Sequence, residues 1–388
     1  MEETLEKINL NHLDKSTWES FRFEEIAQKI SETVNPNSTT LETYVGLEHI
    51  DPEDVHIRRF GSPDDVSGGK LKCYPGDVIF GKRRAYQRKA AIVDFEGICS
   101  AHAFVFRANP EVIDPKLFPF FLHSDQFMHR MVDISVGGLS PTINWGDLKH
   151  QEFLLPPKPE QACLAELLWA MDEVIEKERE VELKLNVNKR TLFNELHRLR
   201  FNSYNLLEDL CLKISSGGTP DRQKESDYFN GTIPWVKTKE LNDWIVSETE
   251  EYITDIGLKN SSAKLYPANT ILLAMYGVTV GKIGMIDKEM TCNQACCAII
   301  VDQKKIDNWF LFYYLTALRD RLIALSVGSA QPNISSGIIK KLKIPSLSTE
   351  EQKSFTSKLL NIDHSLKKLA FKIESTKTLQ KSLINQIF

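Results

Sequence analysis

The chain has 388 residues, of which 42% are hydrophobic and 26% charged, and its formal net charge is −5. This balance is typical of a globular protein and excludes wholesale disorder or a fibrous chain, while the length predicts two or three domains. The negative net charge excludes blanket binding of nucleic acid, so any contact with nucleic acid must come from local basic patches.

The N-terminal segment is acidic and has no apolar core, so we expect no signal peptide. No apolar run approaches the roughly 18 residues that cross a bilayer. The cysteines are scattered and form no Cys-x-x-Cys motif, which predicts buried thiols in a reducing cytoplasm. The alternative is a metal site at the cluster Cys292, Cys296 and Cys297.

After a tail at 1–16, the first globular unit is predicted over residues 17–155. Short β-like runs at 77–80 and 101–106 alternate with turns and with a helical stretch at 117–129, which indicates an α+β domain.

A basic run at 81–89 carries five bases and no acid. Lys and Arg neutralise phosphates, and Arg and Gln can read base edges in the major groove of DNA. The run therefore predicts a DNA contact, with a solvated hairpin tip as the alternative. The candidate residues are Lys82, Arg83, Arg84, Tyr86, Gln87, Arg88 and Lys89.

Two further loops of this unit qualify as candidates. His102 stands at a strand start, and the segment 136–141 combines glycines with small polar residues, which let a backbone approach a ligand closely. The candidates in that segment are Gly137, Gly138 and Ser140, and the alternative for each loop is an ordinary turn.

A helical connector is predicted over residues 156–202. Its apolar positions follow the 4-3 spacing of a coiled coil, with a polar middle, and about 40 residues give a rod of roughly 60 Å. The seam residues are Leu164, Leu168, Met171, Ile175, Leu185, Leu192 and Leu196.

The second unit is predicted over 203–345, with β-like runs at 270–274 and 298–301 and a helical stretch at 309–325. The segment 275–282 stands where the first unit has its basic run, and a glycine-containing segment at 327–332 stands where it has 136–141. The candidate DNA-binding residues here are Tyr276, Thr279, Lys282, Asn293, Gln294, Ser329, Gln331 and Asn333.

A second connector, 346–388, repeats the 4-3 spacing. Its seam residues are Phe355, Leu359, Ile362, Leu366, Leu369, Ile373, Leu383 and Ile387. The segment 160–196 has nine acids and five bases, whereas 353–388 has two acids and seven lysines. Matched charge and unpaired seams predict that the two helices form an antiparallel coiled coil with pseudo-twofold symmetry. The alternative is that each helix packs on its own globular unit.

The chain is an internal repeat. Residues 139–197 align without a gap on 330–388 at a constant shift of 191, which pairs Gln161 with Gln352 and Asp172 with Asp363. A period this long predicts a duplicated domain with a duplicated connector, not a solenoid.

Catalytic signatures are absent from the sequence. The segment 277–284 is one residue short of a phosphate-binding loop and lacks its Ser or Thr, and no methyltransferase, nuclease or hydrolase motif is present. We therefore expect no catalytic, cofactor-binding or metal-binding residues in this chain.

Several landmarks resemble the specificity subunit of type I restriction–modification enzymes. The most telling stretch is 214–220, Ile-Ser-Ser-Gly-Gly-Thr-Pro, followed by 228–235, Tyr-Phe-Asn-Gly-Thr-Ile-Pro-Trp; residues 31–40 of the first unit lack an equivalent of Gly-Gly-Thr-Pro. The resemblance covers the chain from about residue 17, and it adds Gly218, Thr219, Arg222 and Lys237 to the candidates.

The resemblance implies two target recognition domains, each of which reads one half of a bipartite asymmetric DNA site. The two helices would set the spacer and dock two methyltransferase subunits, which use S-adenosylmethionine. Two restriction subunits that use ATP and magnesium can complete such a complex, which acts in the prokaryotic cytoplasm in defence against foreign DNA. The other hypotheses are a coiled-coil protein-binding scaffold and a self-contained restriction or modification enzyme.

Overall fold

The computed structural model describes residues 13–198, 203–325 and 333–388 of the chain. The chain divides into two compact units. Unit 1 comprises Met1–Glu180 with Leu369–Phe388, and unit 2 comprises Val181–Lys368. No helix in the described ranges is both long and apolar enough to cross a membrane. The boundaries between the units fall inside the two long helices, whose ranges are given below. The domain boundaries predicted from the sequence, 17–155 and 203–345, lie near the ends of those helices and remain a prediction.

Unit 1 is an α+β domain built on two four-stranded sheets. Its strands are β1 (Glu19–Arg22), β2 (Ala27–Ile30), β3 (Thr33–Val34), β4 (Tyr44–Val45), β5 (Lys70–Cys73), β6 (Val78–Gly81), β7 (Ala90–Ile92), β8 (Gly97–Cys99), β9 (Ala103–Ala108) and β10 (Glu152–Leu155). The strand orders are β2-β9-β6-β7 and β3-β5-β8-β4, and β1 pairs with β10. Its helices are α1 (Phe23–Ile26), α2 (Phe118–Phe121), α3 (Asp125–Asp133), α4 (Trp145–Leu148) and the first half of α5 (Lys158–Arg198). The C-terminal half of the second long helix, which is given below as α10, also belongs to unit 1.

Unit 2 has the same design. Its strands are β11 (Tyr204–Leu206), β12 (Cys211–Ser216), β13 (Ile233–Val236), β14 (Trp244–Val246), β15 (Tyr252–Ile253), β16 (Ile271–Ala274), β17 (Ile283–Ile286), β18 (Thr291–Cys292), β19 (Cys296–Val301) and β20 (Lys343–Pro345). Its helices are the second half of α5, α6 (Asp255–Lys259), α7 (Asn308–Ala317), α8 (Arg319–Leu325), α9 (Ser336–Lys340) and the first half of α10 (Thr349–Ile387).

The strand orders establish the repeat in three dimensions. The order β12-β19-β16-β17 in unit 2 reproduces β2-β9-β6-β7 in unit 1, with β14 added at the edge, and the pair β11-β20 reproduces β1-β10. In both units a parallel pair, β4 with β8 or β13 with β18, belongs to a further sheet. The duplication predicted from the constant sequence shift is therefore a duplication of topology.

The two predicted helical stretches are each divided. The stretch 117–129 forms α2 and α3, because the Ser124 hydroxyl accepts a hydrogen bond from Phe127 N at 3.2 Å and so starts a new helix. The stretch 309–325 forms α7 and α8, with Leu318 at the C-terminal cap of α7. An apolar pattern continues across such a break, so periodicity alone does not place it.

The long helices pack against each other in both units. In unit 1 the Gln380 side chain donates to Leu168 O at 3.0 Å and Lys372 pairs with Glu178, so the two helices run antiparallel. In unit 2, Lys189 Nζ lies 2.5 Å from Asp363 Oδ1. The Glu178–Lys372 pair matches an acid of α5 with a lysine of α10, as the charge difference predicted.

The long helices also contribute to the cores of the units. The alternative prediction, that each long helix packs on a globular unit, is therefore also correct in part. Leu164 and Leu168 of α5, together with Ile387 and Phe388 of α10, pack in the core of unit 1. In unit 2 the corresponding contribution comes from Leu196 and Leu359. Every predicted seam residue is at least partly buried. The buried ones are Leu164, Leu168, Ile175, Leu196, Leu359, Ile373, Leu383 and Ile387; the half-buried ones are Met171, Leu185, Leu192, Phe355, Ile362, Leu366 and Leu369.

One repeated glutamine anchors the start of each long helix. Gln161 Oε1 accepts from Asp114 N at 2.6 Å, and Gln352 Oε1 accepts from Asp307 N at 2.8 Å. Both side chains are buried, and each amide also donates to a backbone carbonyl just before its helix. The sequence match between these two residues therefore reflects the same helix-to-domain joint in both repeats.

All seven cysteines are free thiols, and six of them are buried. In the described ranges no group of three or more His, Cys, Asp or Glu side chains is arranged to hold a metal ion. Burial raises the pKa of Cys297 to about 12, so this thiol is protonated and unreactive at neutral pH.

Candidate nucleic-acid interface

The predicted loops of unit 1 meet at the C-terminal end of β6. The basic run leaves this strand and returns to β7, and Ile143 N donates to Lys82 O at 2.9 Å, which brings the glycine-containing segment alongside. Gly81 pairs with Ala103 across the sheet, so His102 lies at the same end. Three segments separated by up to 60 residues in sequence thus form one loop cluster, which we call loop cluster 1 (82–89, 100–102 and 136–142).

The basic run forms a tight turn with a defined shape. Arg84 and Arg88 adopt left-handed backbone conformations, with φ of 58° and 52°, on either side of a 3-10 turn whose Ala85 is buried. Arg88 N donates to Ala85 O at 2.8 Å and closes the turn. The prediction of a solvated hairpin tip therefore describes only part of the run.

The residues of this turn separate into two groups by exposure. Arg83, Arg84 and Tyr86 are exposed, and Arg84 Nε donates to Ser140 Oγ at 3.1 Å. Arg83 has no side-chain hydrogen bond or ion pair within the described part of the chain, so its guanidinium is available to a ligand. Gln87 is half-buried.

The other bases of the run are held inside the fold. Arg88 pairs with Asp125 at 2.6 Å and with Glu53 at 2.9 Å, and Lys89 Nζ donates to Leu47 O at 2.6 Å. Lys82 is half-buried; burial, and secondarily the charge of nearby Lys29, lowers its pKa. Contact of Arg88 and Lys89 with DNA stays a prediction. Such a contact would require these side chains to leave or share their internal partners.

The glycine-containing segment is a hairpin that presents an apolar tip. Val136 and Thr142 exchange backbone hydrogen bonds of 3.0 and 2.9 Å, and Gly137 has a φ of 114° that favours glycine. At the tip, Leu139 between Gly138 and Ser140 is 97% exposed. Leu139 is not among the candidates predicted from the sequence, although an apolar residue between glycine and serine was a signal that could have indicated it.

Unit 2 repeats this arrangement at the end of β16. Met275 N donates to Ala295 O at 2.8 Å, and Ile334 N donates to Met275 O at 2.9 Å. Tyr276 bridges to Asn333, as Arg83 bridges to Thr142 in unit 1. The segments 276–282, 293–295 and 333–334 form loop cluster 2.

The side chains of loop cluster 2 are less basic than those of loop cluster 1. Tyr276 and Lys282 are exposed, Val278 is fully exposed, and Thr279 is half-buried with its hydroxyl donating to Tyr276 O at 3.1 Å. Ser329 and Gln331 lie outside the described residues.

The Gly-Gly-Thr-Pro stretch lies next to the Asn293-Gln294 turn. Gly218 N donates to Cys292 O at 2.9 Å, and the Thr219 hydroxyl donates to the Gln294 side-chain oxygen. A Cβ on Gly218 would lie 2.2 Å from the backbone of Ala263, so this position requires glycine for packing. The structure gives Gly218 a role within the fold, and its contact with DNA stays a prediction.

Arg222 and Lys237 share one acidic partner. Arg222 lies over the rings of Tyr228 and Trp235, 4.7 and 4.6 Å from their centroids, and pairs with Glu251 at 2.6 Å. Lys237 Nζ lies 2.5 Å from the same carboxylate. Lys237 is thus held by a partner within unit 2, whereas Arg222 has a partner and keeps 51% of its side chain exposed. The role of both cations at DNA remains a prediction.

Family membership follows from comparison with known proteins. Residues 15–185 and 205–375 each match the family described as the type I restriction modification DNA specificity domain. The chain belongs to this family. The two matches confirm the resemblance and the tandem organisation predicted from the sequence, and the family assigns the chain to DNA recognition, not catalysis.

Relatives with this assignment occur in archaea and bacteria. A candidate type I restriction enzyme MjaX specificity subunit of Methanocaldococcus jannaschii is 21% identical over 345 residues, 82% of this chain and 79% of that protein. The type I restriction enzyme EcoR124I/EcoR124II specificity subunit of Escherichia coli is 27% identical over 232 residues, 54% of each chain.

Solved structures share the fold. The crystal structure of a type I restriction-modification system S subunit from M. genitalium has a TM-score of 0.63 at 15% identity and covers 98% of this chain and 99% of that one. A chain from a study of assembly and conformational transition in a type I R-M system has a TM-score of 0.59 at 19% identity, with 95% and 97% covered.

Proposed function

We propose that this chain is the specificity subunit of a type I restriction–modification complex and that each unit reads one half of a bipartite, asymmetric DNA site. The observation that supports this most directly is the pair of equivalent loop clusters, one at the end of β6 and one at the end of β16. Their scaffolds are equivalent and their side chains differ, as expected if each cluster reads a different sequence.

In loop cluster 1, we assign the DNA contacts to the exposed side chains. Arg83 and Arg84 suit guanine edges or phosphates, and Leu139 suits the methyl group of thymine, the apolar feature of the major groove. In loop cluster 2 the corresponding exposed residues are Tyr276, Val278 and Lys282. A smaller number of cations there predicts readout that depends less on guanine.

The long helices set the spacer between the half-sites and dock two methyltransferase subunits. Exposed apolar side chains on them offer surfaces for such partners: Leu183 and Val187 lie one turn apart on α5, and Phe371 and Leu379 lie on α10. S-adenosylmethionine, ATP and magnesium belong to the methyltransferase and restriction subunits, and the complex acts in the prokaryotic cytoplasm.

The double substitution Arg83→Ala/Arg84→Ala tests the assignment. In the complex with its methyltransferase subunits, it should weaken DNA binding by about 1–3 kcal/mol for each arginine that reads a base, or lower the salt slope by about one for each that binds phosphate. Titration of labelled DNA at several salt concentrations measures both quantities.

Arg22→Ala is the matched control, because Arg22 is an exposed arginine on β1, outside both loop clusters and off the long helices that dock the methyltransferase subunits. It should leave affinity and salt slope unchanged. Unaltered DNA binding and methylation in the Arg83/Arg84 variant would contradict the assignment and favour a protein-binding scaffold.

A further inference from the structure

Arg88 joins the basic turn to two acidic residues from other parts of unit 1. Its guanidinium lies 2.6 Å from Asp125 at the start of α3 and 2.9 Å from Glu53, and it donates to His123 O at 2.9 Å. Only 18% of the Arg88 side chain is exposed. A charge buried to this extent is stable only with its partners in place.

The same two acids bind the C-terminal end of α10. Asn385 contacts Asp125 twice: its Oδ1 accepts from Asp125 N at 2.8 Å, and its Nδ2 donates to Asp125 Oδ2 at 2.6 Å. Lys381 Nζ lies 2.6 Å from Glu53 Oε1. Asp125 and Glu53 therefore each bridge Arg88 to the last turns of α10.

Arg88 also determines the shape of the turn itself. It holds a left-handed conformation at the end of the 3-10 turn, its N–H donates to Ala85 O at 2.8 Å, and its carbonyl accepts from Glu53 N at 3.0 Å. Displacement of the Arg88 side chain would release the backbone that fixes Arg84 and Tyr86.

We propose that Arg88 is a positioning residue that couples the C-terminal end of α10 to the basic turn, so that this end of the helix controls recognition by loop cluster 1. The effect on DNA rests on the proposed function of that cluster. Unit 2 provides a contrast. Asn194, which the 191-residue shift aligns with Asn385, has no side-chain hydrogen bond within the described part of the chain.

Asn385→Ala in the full chain tests the coupling, with Asn194→Ala as the matched control. In the DNA-free protein, hydrogen exchange of the Gln87 and Arg88 amides should become about tenfold faster in Asn385→Ala, because a hydrogen bond to a charged group is lost. Lys381→Ala is a milder second variant, and thermal melting monitors whether each variant is folded. Unchanged exchange at the turn in folded Asn385→Ala and Lys381→Ala would overturn the proposal.

Methylation by the assembled complex measures whether the coupling between α10 and the basic turn also affects DNA recognition by loop cluster 1. In Asn385→Ala, discrimination at one half-site should fall while the other half-site stays unchanged, and Arg88→Lys, which keeps the charge, should recover part of the loss caused by Arg88→Ala. Equal losses in Arg88→Lys and Arg88→Ala would contradict the positioning role. Faster exchange with unaltered methylation would uphold the coupling to the turn and contradict control of recognition by the end of α10. The DNA-reading role of the turn is tested separately by the Arg83/Arg84 variant.

Discussion

Two adjacent glycines in unit 2 allow three segments to approach more closely than any side chain permits. A Cβ on Gly217 would lie 2.2 Å from Cys292 O, and one on Gly218 would lie 2.2 Å from Ala263 N. Both obstacles are backbone atoms, which cannot move aside without displacing a strand or a loop. The glycines of the Gly-Gly-Thr-Pro stretch are therefore packing residues that support the Asn293-Gln294 turn.

Gly218→Ala should destabilise the protein by about 1–3 kcal/mol or more, because the added methyl group overpacks a closed contact. Urea unfolding followed by circular dichroism measures the change. Gly138→Ala is the control, since a Cβ there meets nothing within 4 Å. Equal stability of the two variants would contradict the packing role of Gly218.

The basic run illustrates what residue types alone can predict. Composition predicts that residues 81–89 are functionally special, but it cannot distinguish Arg83 from Arg88, five positions apart. The difference arises from Glu53 and Asp125, which are distant in sequence and come close only in the fold. Leu139 was not predicted for the same reason, since exposure at a hairpin tip is a tertiary property.

At the scale of elements, the segment 54–58 fastens the globular part of unit 1 to α5. His56 Nε2 lies 2.7 Å from Asp172 Oδ2, and Arg58 pairs with Asp54 at 2.6 Å and with Glu176 at 2.7 Å. The hydrogen bond to Asp172 raises the pKa of His56 above its usual value. The charge of His56 therefore contributes to the attachment of the helix.

This attachment predicts a pH dependence. Because the pKa of His56 is higher in the folded state, the stabilisation is fully present below its unfolded pKa of about 6.5 and is lost as pH rises through the folded value. The melting temperature should therefore fall more on His56→Ala substitution at pH 5.5 than at pH 9. A difference between wild type and variant that stays constant over this range would contradict the ion pair.

Regular elements were predicted better than their interruptions. The heptad spacing predicted both long helices and their pairing, and the β-like runs correspond to β6, β9, β16 and β19. The breaks between α2 and α3 and between α7 and α8 were not predicted, because the apolar pattern continues through them. The additional strand β14 likewise had no signal in the repeat comparison.

At the scale of the whole molecule, the charges that sum to −5 are unevenly distributed along the chain. Part of the acid lies on α5, where Glu178 pairs with Lys372 and Glu176 with Arg58. Exposed cations remain at loop cluster 1. A weak overall field with local basic groups suits a subunit that reads sequence while its partners supply further contacts with DNA.

The duplication predicted the architecture because it is a property of the entire chain and does not depend on any one contact. The functional boundaries at 17–155 and 203–345, and the assignment of individual residues to DNA, remain predictions. Base readout depends on loop geometry and on DNA shape, which no motif in the sequence specifies.

Mapping of methylated adenines in cells that contain the chain and its methyltransferase subunits tests the central claim most directly. The full chain should produce one motif of two specified half-sites separated by a fixed unspecified gap. A chain that lacks seven residues from both α5 and α10 should keep both half-site sequences and change only the gap. A continuous motif, or altered half-sites with an unchanged gap, would contradict bipartite recognition with a helical spacer.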